Sequence, residues 1–177
     1  MKRASILFAL AATIWAGSTE KPRVKRAAMK AMEQSFDRRI ERLADDPYIL
    51  VGMTRGVYLE GYGAVFTTEV SLANGPAISP FRPTLTKEDI ATIRAKKLER
   101  FPALRQNIRD MLLAAAASLD DVPAGEQVVI GVSLIYRPQE DRSGMPDQIL
   151  MQGAKGKLLD AKLGRVSLDE AVRAQEF

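Results

Sequence analysis

The sequence predicts an α+β domain with its elements in the order α-β-β-α-β-β-α. A four-stranded sheet is packed by one long, proline-kinked helix and by an N-terminal amphipathic helix. Three observations predict it. Apolar residues recur at three- and four-residue steps up to Leu43 and then alternate from Tyr48 to Leu72. A second helical series runs from Ile90 to Leu119. Beyond it, Val128 to Tyr136 is apolar on both faces, the pattern of a central buried strand.

Each element follows from local chemistry. Val24, Ala28, Met32, Phe36, Ile40 and Leu43 share one face of a first helix running from about Pro22 to Ala44. Pro22 suits the first turn, where its missing N–H has no intrahelical partner, and Asp45-Asp46-Pro47 ends the helix. Ala64, Phe66, Thr68, Val70 and Leu72 then lie on one side of a strand, with Val65, Thr67, Glu69 and Ser71 on the other. The strand before it runs to about Leu59, and Glu60-Gly61-Tyr62-Gly63 makes the hairpin turn. Residues 73–85 contain Asn74-Gly75, Pro76, Pro80 and Pro83 and form a long, stiff loop. Thr86 and Asp89 spell a capping box for the long helix. Pro102 is expected to kink or break that helix, because its ring clashes with the Leu98 carbonyl. Val122-Pro123-Ala124-Gly125 terminates it.

After the buried strand, residues 137–147 form a polar loop and Gln148 to Ala154 a shorter strand. Leu158 to Leu163 is a helical turn, and Ser167 with Glu170 caps a last helix over Leu168 to Glu176. A right-handed crossover through the long helix makes the second and third strands parallel. The order of elements resembles roadblock- and profilin-like sandwiches, a likeness of fold that carries no function.

Composition excludes more than it selects. A chain of 177 residues fits one domain, large enough to bury about two-thirds of its unfolded surface without a metal or disulfide. Neither Cys nor His occurs. Thiol nucleophiles, zinc fingers, iron–sulfur clusters, imidazole bases and His-ligated metals are therefore excluded. No cofactor and no metal site are expected. Any chemistry would rest on Asp, Glu, Lys, Arg, Ser, Thr or Tyr.

The N-terminus reads as a signal peptide over residues 1–18, leaving a single domain over 19–177. Lys2-Arg3 is a basic start, and Ile6 to Ala16 an apolar or small stretch. Ala16-Gly17-Ser18 offers cleavage after Ala16 or Ser18. Eleven residues rise only about 16 Å as a helix against roughly 30 Å of hydrocarbon, too short to span. Lys21, Arg23, Lys25, Arg26 and Lys30 follow closely, a placement that opposes translocation. Without Lys2 and Arg3 the 26 basic residues fall to 24, against 22 acidic ones. The remaining charge is nearly balanced, so the basic pI of 9.4 is no nucleic-acid signature.

Four motifs and one juxtaposition stand out. Gly61-Tyr62-Gly63 lacks the third glycine and the following helix of a dinucleotide site. Ser18-Thr19-Glu20-Lys21 matches the SxxK pattern of penicillin-binding proteins without its SDN and KTG companions. In Gly153-Ala154-Lys155-Gly156-Lys157, backbone N–H groups with Lys155 and Lys157 are candidates to hold a phosphate or carboxylate. A solvated turn is the simpler reading. The first helix carries Arg23, Lys25, Arg26, Lys30, Arg38, Arg39 and Arg42, a stripe able to meet anionic lipid or nucleic acid. Glu33, Asp37 and Glu41 interrupt it and no aromatics alternate with it, which favours a solvated face and disfavours nucleic acid. Finally, parallel second and third strands bring the two longest loops to one sheet edge. Asp45, Asp46, Arg82, Arg137, Glu140, Asp141 and Arg142 gather there beside Phe81, where ligand sites favour the carboxyl ends of strands. Paired carboxylates at that edge suit a cation or acid–base work only if one has a shifted pKa. Loop salt bridges are the plainer expectation.

These observations favour a non-catalytic, exported interaction domain of the bacterial envelope, with another envelope protein or surface as partner. The first alternative is a small-molecule or cation-binding domain, including a carboxylate-based hydrolase, using loops 73–85 and 137–147. The second is a cytosolic protein that binds nucleic acid through its basic first helix.

Overall fold

The computed structural model of the protein describes residues 24–43, 49–76, 80 and 84–177. The alternating stretch forms a hairpin of β1 (Ile49–Leu59) and β2 (Gly63–Ser71). Its turn needs glycine twice. Gly61 takes a φ of 79°, and a Cβ on Gly63 (φ 137°) would lie 1.9 Å from the Gln127 carbonyl oxygen. The long helix α2 (Lys87–Ser118) follows, then β3 (Gln127–Leu134), which pairs parallel to β2 as the crossover predicts. β4 (Gln148–Ala154) pairs antiparallel to β3.

The α+β class stands, with a five-stranded mixed sheet in place of four strands. Sheet order is β1-β2-β3-β4-β5. The fifth strand corrects the predicted last helix. Helices α3 (Lys155–Lys162) and α4 (Leu168–Ala171) follow β4, and the Ser167/Glu170 capping box does form. Instead of continuing as helix to Glu176, the chain turns into β5 (Arg173–Glu176) and pairs antiparallel with β4. Arg-Ala-Gln-Glu has little strand propensity of its own; the open edge of β4 supplies backbone partners, and tertiary context overrides propensity. Pro102 does not break α2, which runs unbroken through it. It lies on the solvent side, where water can reach the Leu98 carbonyl. Buried Phe101, Leu104 and Ile108 anchor the helix on both sides of it.

One face of the sheet is the core face. Phe66, Val70, Val128, Ile130, Val132, Ile149 and Met151 meet Ile108, Met111 and Leu112 of α2 there. Helix α1 (Arg26–Glu41), shorter than predicted, adds Met29, Met32, Phe36 and Ile40. Phe36 packs edge-to-face on Phe66 with ring centroids 5.0 Å apart.

The same helix face carries two buried acids, and they explain how α1 holds β1. Asp37 Oδ1 accepts from the Thr54 N–H at 2.8 Å, and Glu33 Oε1 from the Gly56 N–H at 2.7 Å. Thr54 and Gly56 are two apart on the outermost strand, so both amides point the same way. The carboxylates stand in for the missing neighbouring strand. Arg26 grips Glu33 through both carboxylate oxygens, at 2.7 and 3.1 Å. Burial raises the Glu33 pKa, but Arg26, the Gly56 N–H and Arg55 outweigh it and hold the carboxyl below its usual value. Asp37→Ala and Glu33→Ala each orphan one strand amide. Each is expected to cost about 1–3 kcal/mol in urea unfolding, with the exposed Gln34→Ala as the near-neutral control.

Candidate functional site

The loop edge singled out in the sequence is in part assembled. Arg137, Glu140, Asp141 and Arg142 lie together on the loop after β3, while Asp45, Asp46, Phe81 and Arg82 lie outside the described residues. Arg137 donates to the Pro76 carbonyl at 2.9 Å and so ties the loop to the segment after β2. Asp141 pairs with Arg94 of α2 at 3.3 Å, and Arg94 also donates to the Ser143 carbonyl at 3.0 Å. Arg142 reaches Asp147 at 3.3 Å. Beneath them Lys97 of α2 is buried in an ion pair with Glu140, their side chains 1% and 4% exposed. The Lys97 ammonium also stands 4.5 Å from the centroid of the Tyr136 ring.

This network closes on itself. Tyr136 donates to the Pro146 carbonyl at 2.7 Å, and burial, then the charges of Asp147 and Glu140, push its phenol up to about 12. Asp141 moves the other way: hydrogen bonds from Ser143, with Arg94 beside it, hold its carboxyl below the usual range. A general acid at neutral pH requires a raised carboxyl. Among the described residues no group of three or more Asp or Glu is placed to hold a metal ion. The arrangement fastens the loop to α2 through opposite charges.

Lys155 and Lys157 are separated by the fold. Lys155 is buried and spends its three donors on the carbonyls of Leu119, Asp120 and Val122, at 2.7, 3.0 and 2.6 Å. Two backbone amides of this candidate anion turn are also taken. Lys155 N–H donates to the Glu126 carbonyl and Gly156 N–H to the Ala124 carbonyl, both at 2.8 Å. Lys155 is therefore the cap of α2 and not an anion ligand. Lys157 is exposed and lines a polar cleft of about 620 Å³ with Gln127, Gln152, Asp169, Glu170 and Arg173.

A surface the sequence reading missed is the second face of the sheet, on which no described helix lies. Val51, Met53, Val57 and Leu59 of β1 are 50, 65, 51 and 47% exposed. Val57 stands beside half-buried Val65 of β2, and the next residue across the sheet, Val129 of β3, is buried, so the exposed apolar surface lies on β1 and its border with β2. Arg55 stands in the β1 row between Met53 and Val57, and Thr67 and Glu69 of β2 lie beside it. The signal was present in β1, whose odd positions Val51, Met53, Val57 and Leu59 are apolar although the even positions Gly52, Thr54 and Gly56 beside them are small or polar. No family model, curated protein or solved structure matches the chain.

Proposed function

We propose that the protein is an exported, non-catalytic interaction domain of the bacterial envelope that engages a protein partner through the uncovered face of its sheet. The observation that carries this reading is the apolar row Val51, Met53, Val57 and Leu59, exposed on a face that the described helices leave open. Contiguous exposed apolar surface rimmed by polar residues is characteristic of interaction sites. Thr67 and Glu69 of β2 supply such a border, and Arg55 places one cation within the row. The closed salt-bridge network on the opposite loops supports a non-catalytic role, because its acids are held by cations and not poised for proton transfer. Export rests on the basic start, the short apolar stretch and the small residues ending at Ser18.

Two measurements test the two halves. The released protein is expected to have a mass beginning at Gly17 or Thr19; an intact Met1 retained in the cytosol overturns export. A photo-crosslinking residue at position 57, in the cells that make the protein, is expected to give a discrete adduct. The adduct should vanish with Met53→Glu/Leu59→Lys, whose melting temperature stays within a few degrees of the parent. The same probe at exposed Glu99 of α2, the helix packed on the opposite face of the sheet, should give none. Equal adducts at both positions, or none at position 57, overturn the docking face.

A further inference from the structure

The basic stripe of α1 ends in a cleft of about 430 Å³ between α1 and α2, lined by Ser35, Arg38, Arg39, Arg42, Leu43 and Asn107. That volume falls within the roughly 300–1,000 Å³ of small-molecule sites. No ion pair joins any of the three arginines to a carboxylate among the described residues. Asp110, one turn beyond Asn107 on α2, accepts instead from Gln106 at 3.0 Å. Glu41, the remaining acid in this part of α1, does not line the cleft. The negative end of the α1 dipole favours cations in its last turn, which accounts for Arg38 and Arg39 being there.

It does not account for Asn107. This residue is 8% exposed in the middle of α2, a position for which asparagine is a poor helix former. Its Nδ2 is buried and has no hydrogen-bond partner. A buried donor left unpaired is costly, and natural folds rarely retain one without a use. The amide donor and three guanidinium forks in one cleft share a single need, an acceptor with several oxygens and negative charge. Phosphate has that chemistry, and guanidinium groups match it bidentately.

We infer that the α1/α2 cleft binds a phosphate group, which takes hydrogen bonds from Arg38, Arg39 and Arg42 at its rim and from the Asn107 amide at its floor. The phosphate is carried either by a soluble phosphomonoester or by a lipid headgroup, and both present the same oxygens. The site is independent of the sheet face proposed above, which lies on the other side of the molecule.

The test measures melting of the full chain in sodium phosphate and in glycerol 3-phosphate, against sodium chloride at equal ionic strength. It adds sedimentation with phosphatidylcholine vesicles with and without phosphatidic acid. A saturable rise in melting temperature is expected with the soluble probes, or phosphatidic-acid-dependent sedimentation if the phosphate belongs to a lipid. Arg38→Gln/Arg42→Gln should weaken either response at least about tenfold. Asn107→Leu removes the orphan donor, so it should melt no lower than the parent without ligand yet lose the response. Lys157→Gln/Lys162→Gln, on α3, should keep it. No response to any probe, or one that the Arg and Asn107 variants leave unchanged, overturns the site.

Discussion

Glu140→Ala is expected to destabilise the protein by about 3–5 kcal/mol, the cost of leaving a buried charge without its counter-ion. Lys97 is 1% exposed, and its remaining contacts would be the Ile135 carbonyl at 3.4 Å and the Tyr136 ring. Neither neutralises an ammonium in an apolar setting. Lys97→Met should cost a similar amount by stranding the Glu140 carboxylate. The double variant Lys97→Met/Glu140→Leu removes both charges while keeping their volume. It should recover to within about 1–2 kcal/mol of the parent, because a buried ion pair and a packed apolar pair are close in free energy. Urea unfolding followed by circular dichroism measures all three, with an unchanged m-value as the sign that the transition keeps its cooperativity. Two single losses that simply add in the double variant would show that Lys97 and Glu140 do not act as a pair.

The position of Lys97 also shows what was legible and what was not. Ile93, Lys97 and Phe101 are spaced by four, so the sequence places this lysine on the apolar face of α2. Its partner could not be read, because Glu140 is 43 residues away and reaches it only through the β3 loop. The same division holds elsewhere. The Thr86/Asp89 capping box, the hairpin glycines and the alternation of β2 are set by residues within a few positions of one another, and they formed as predicted. The parallel pairing of β2 and β3 followed from the helix between them. What escaped depends on distant partners. β5 exists because β4 offers an edge, and Arg105 of α2 then reaches Glu176 at 2.5 Å. Glu33 and Asp37 look in the sequence like interruptions of a basic stripe; in the fold they are the contacts that secure β1. Of the charged residues expected at the loop edge, Arg137, Glu140, Asp141 and Arg142 share the loop after β3, and two of its acids, Asp141 and Glu140, are paired by Arg94 and Lys97 of α2, partners that lie 47 and 43 residues away in the chain.

Lys155→Met is the second large effect, and it rests on the end of α2. α2 ends at Ser118, and the carbonyls of its C-cap Leu119 and of the turn that follows lie beyond the helix's own hydrogen-bond ladder. Here the carbonyls of Leu119 and Val122 belong to residues almost wholly buried, so water is a poor substitute. The Lys155 ammonium reaches both and the Asp120 carbonyl as well, and its positive charge complements the negative end of the longest helix in the fold. Methionine fills a similar volume but donates nothing, leaving the buried Val122 carbonyl unpaired and the Leu119 carbonyl with only the Val122 N–H at 3.1 Å. A loss of about 2–4 kcal/mol is expected, from charge-assisted hydrogen bonds of roughly 1.5–3 kcal/mol less the benefit of no longer burying a charge. Lys155→Arg should not rescue it, since a planar fork cannot direct three donors at carbonyls arranged around a single nitrogen. Lys157→Met, two residues along and exposed, should change stability by less than about 0.5 kcal/mol. Amide hydrogen exchange localises the effect. In Lys155→Met, protection should fall first over the last turn of α2 and the start of α3, because one side chain joins them. Equal exchange in the two variants would mean that the helix end is satisfied without the lysine.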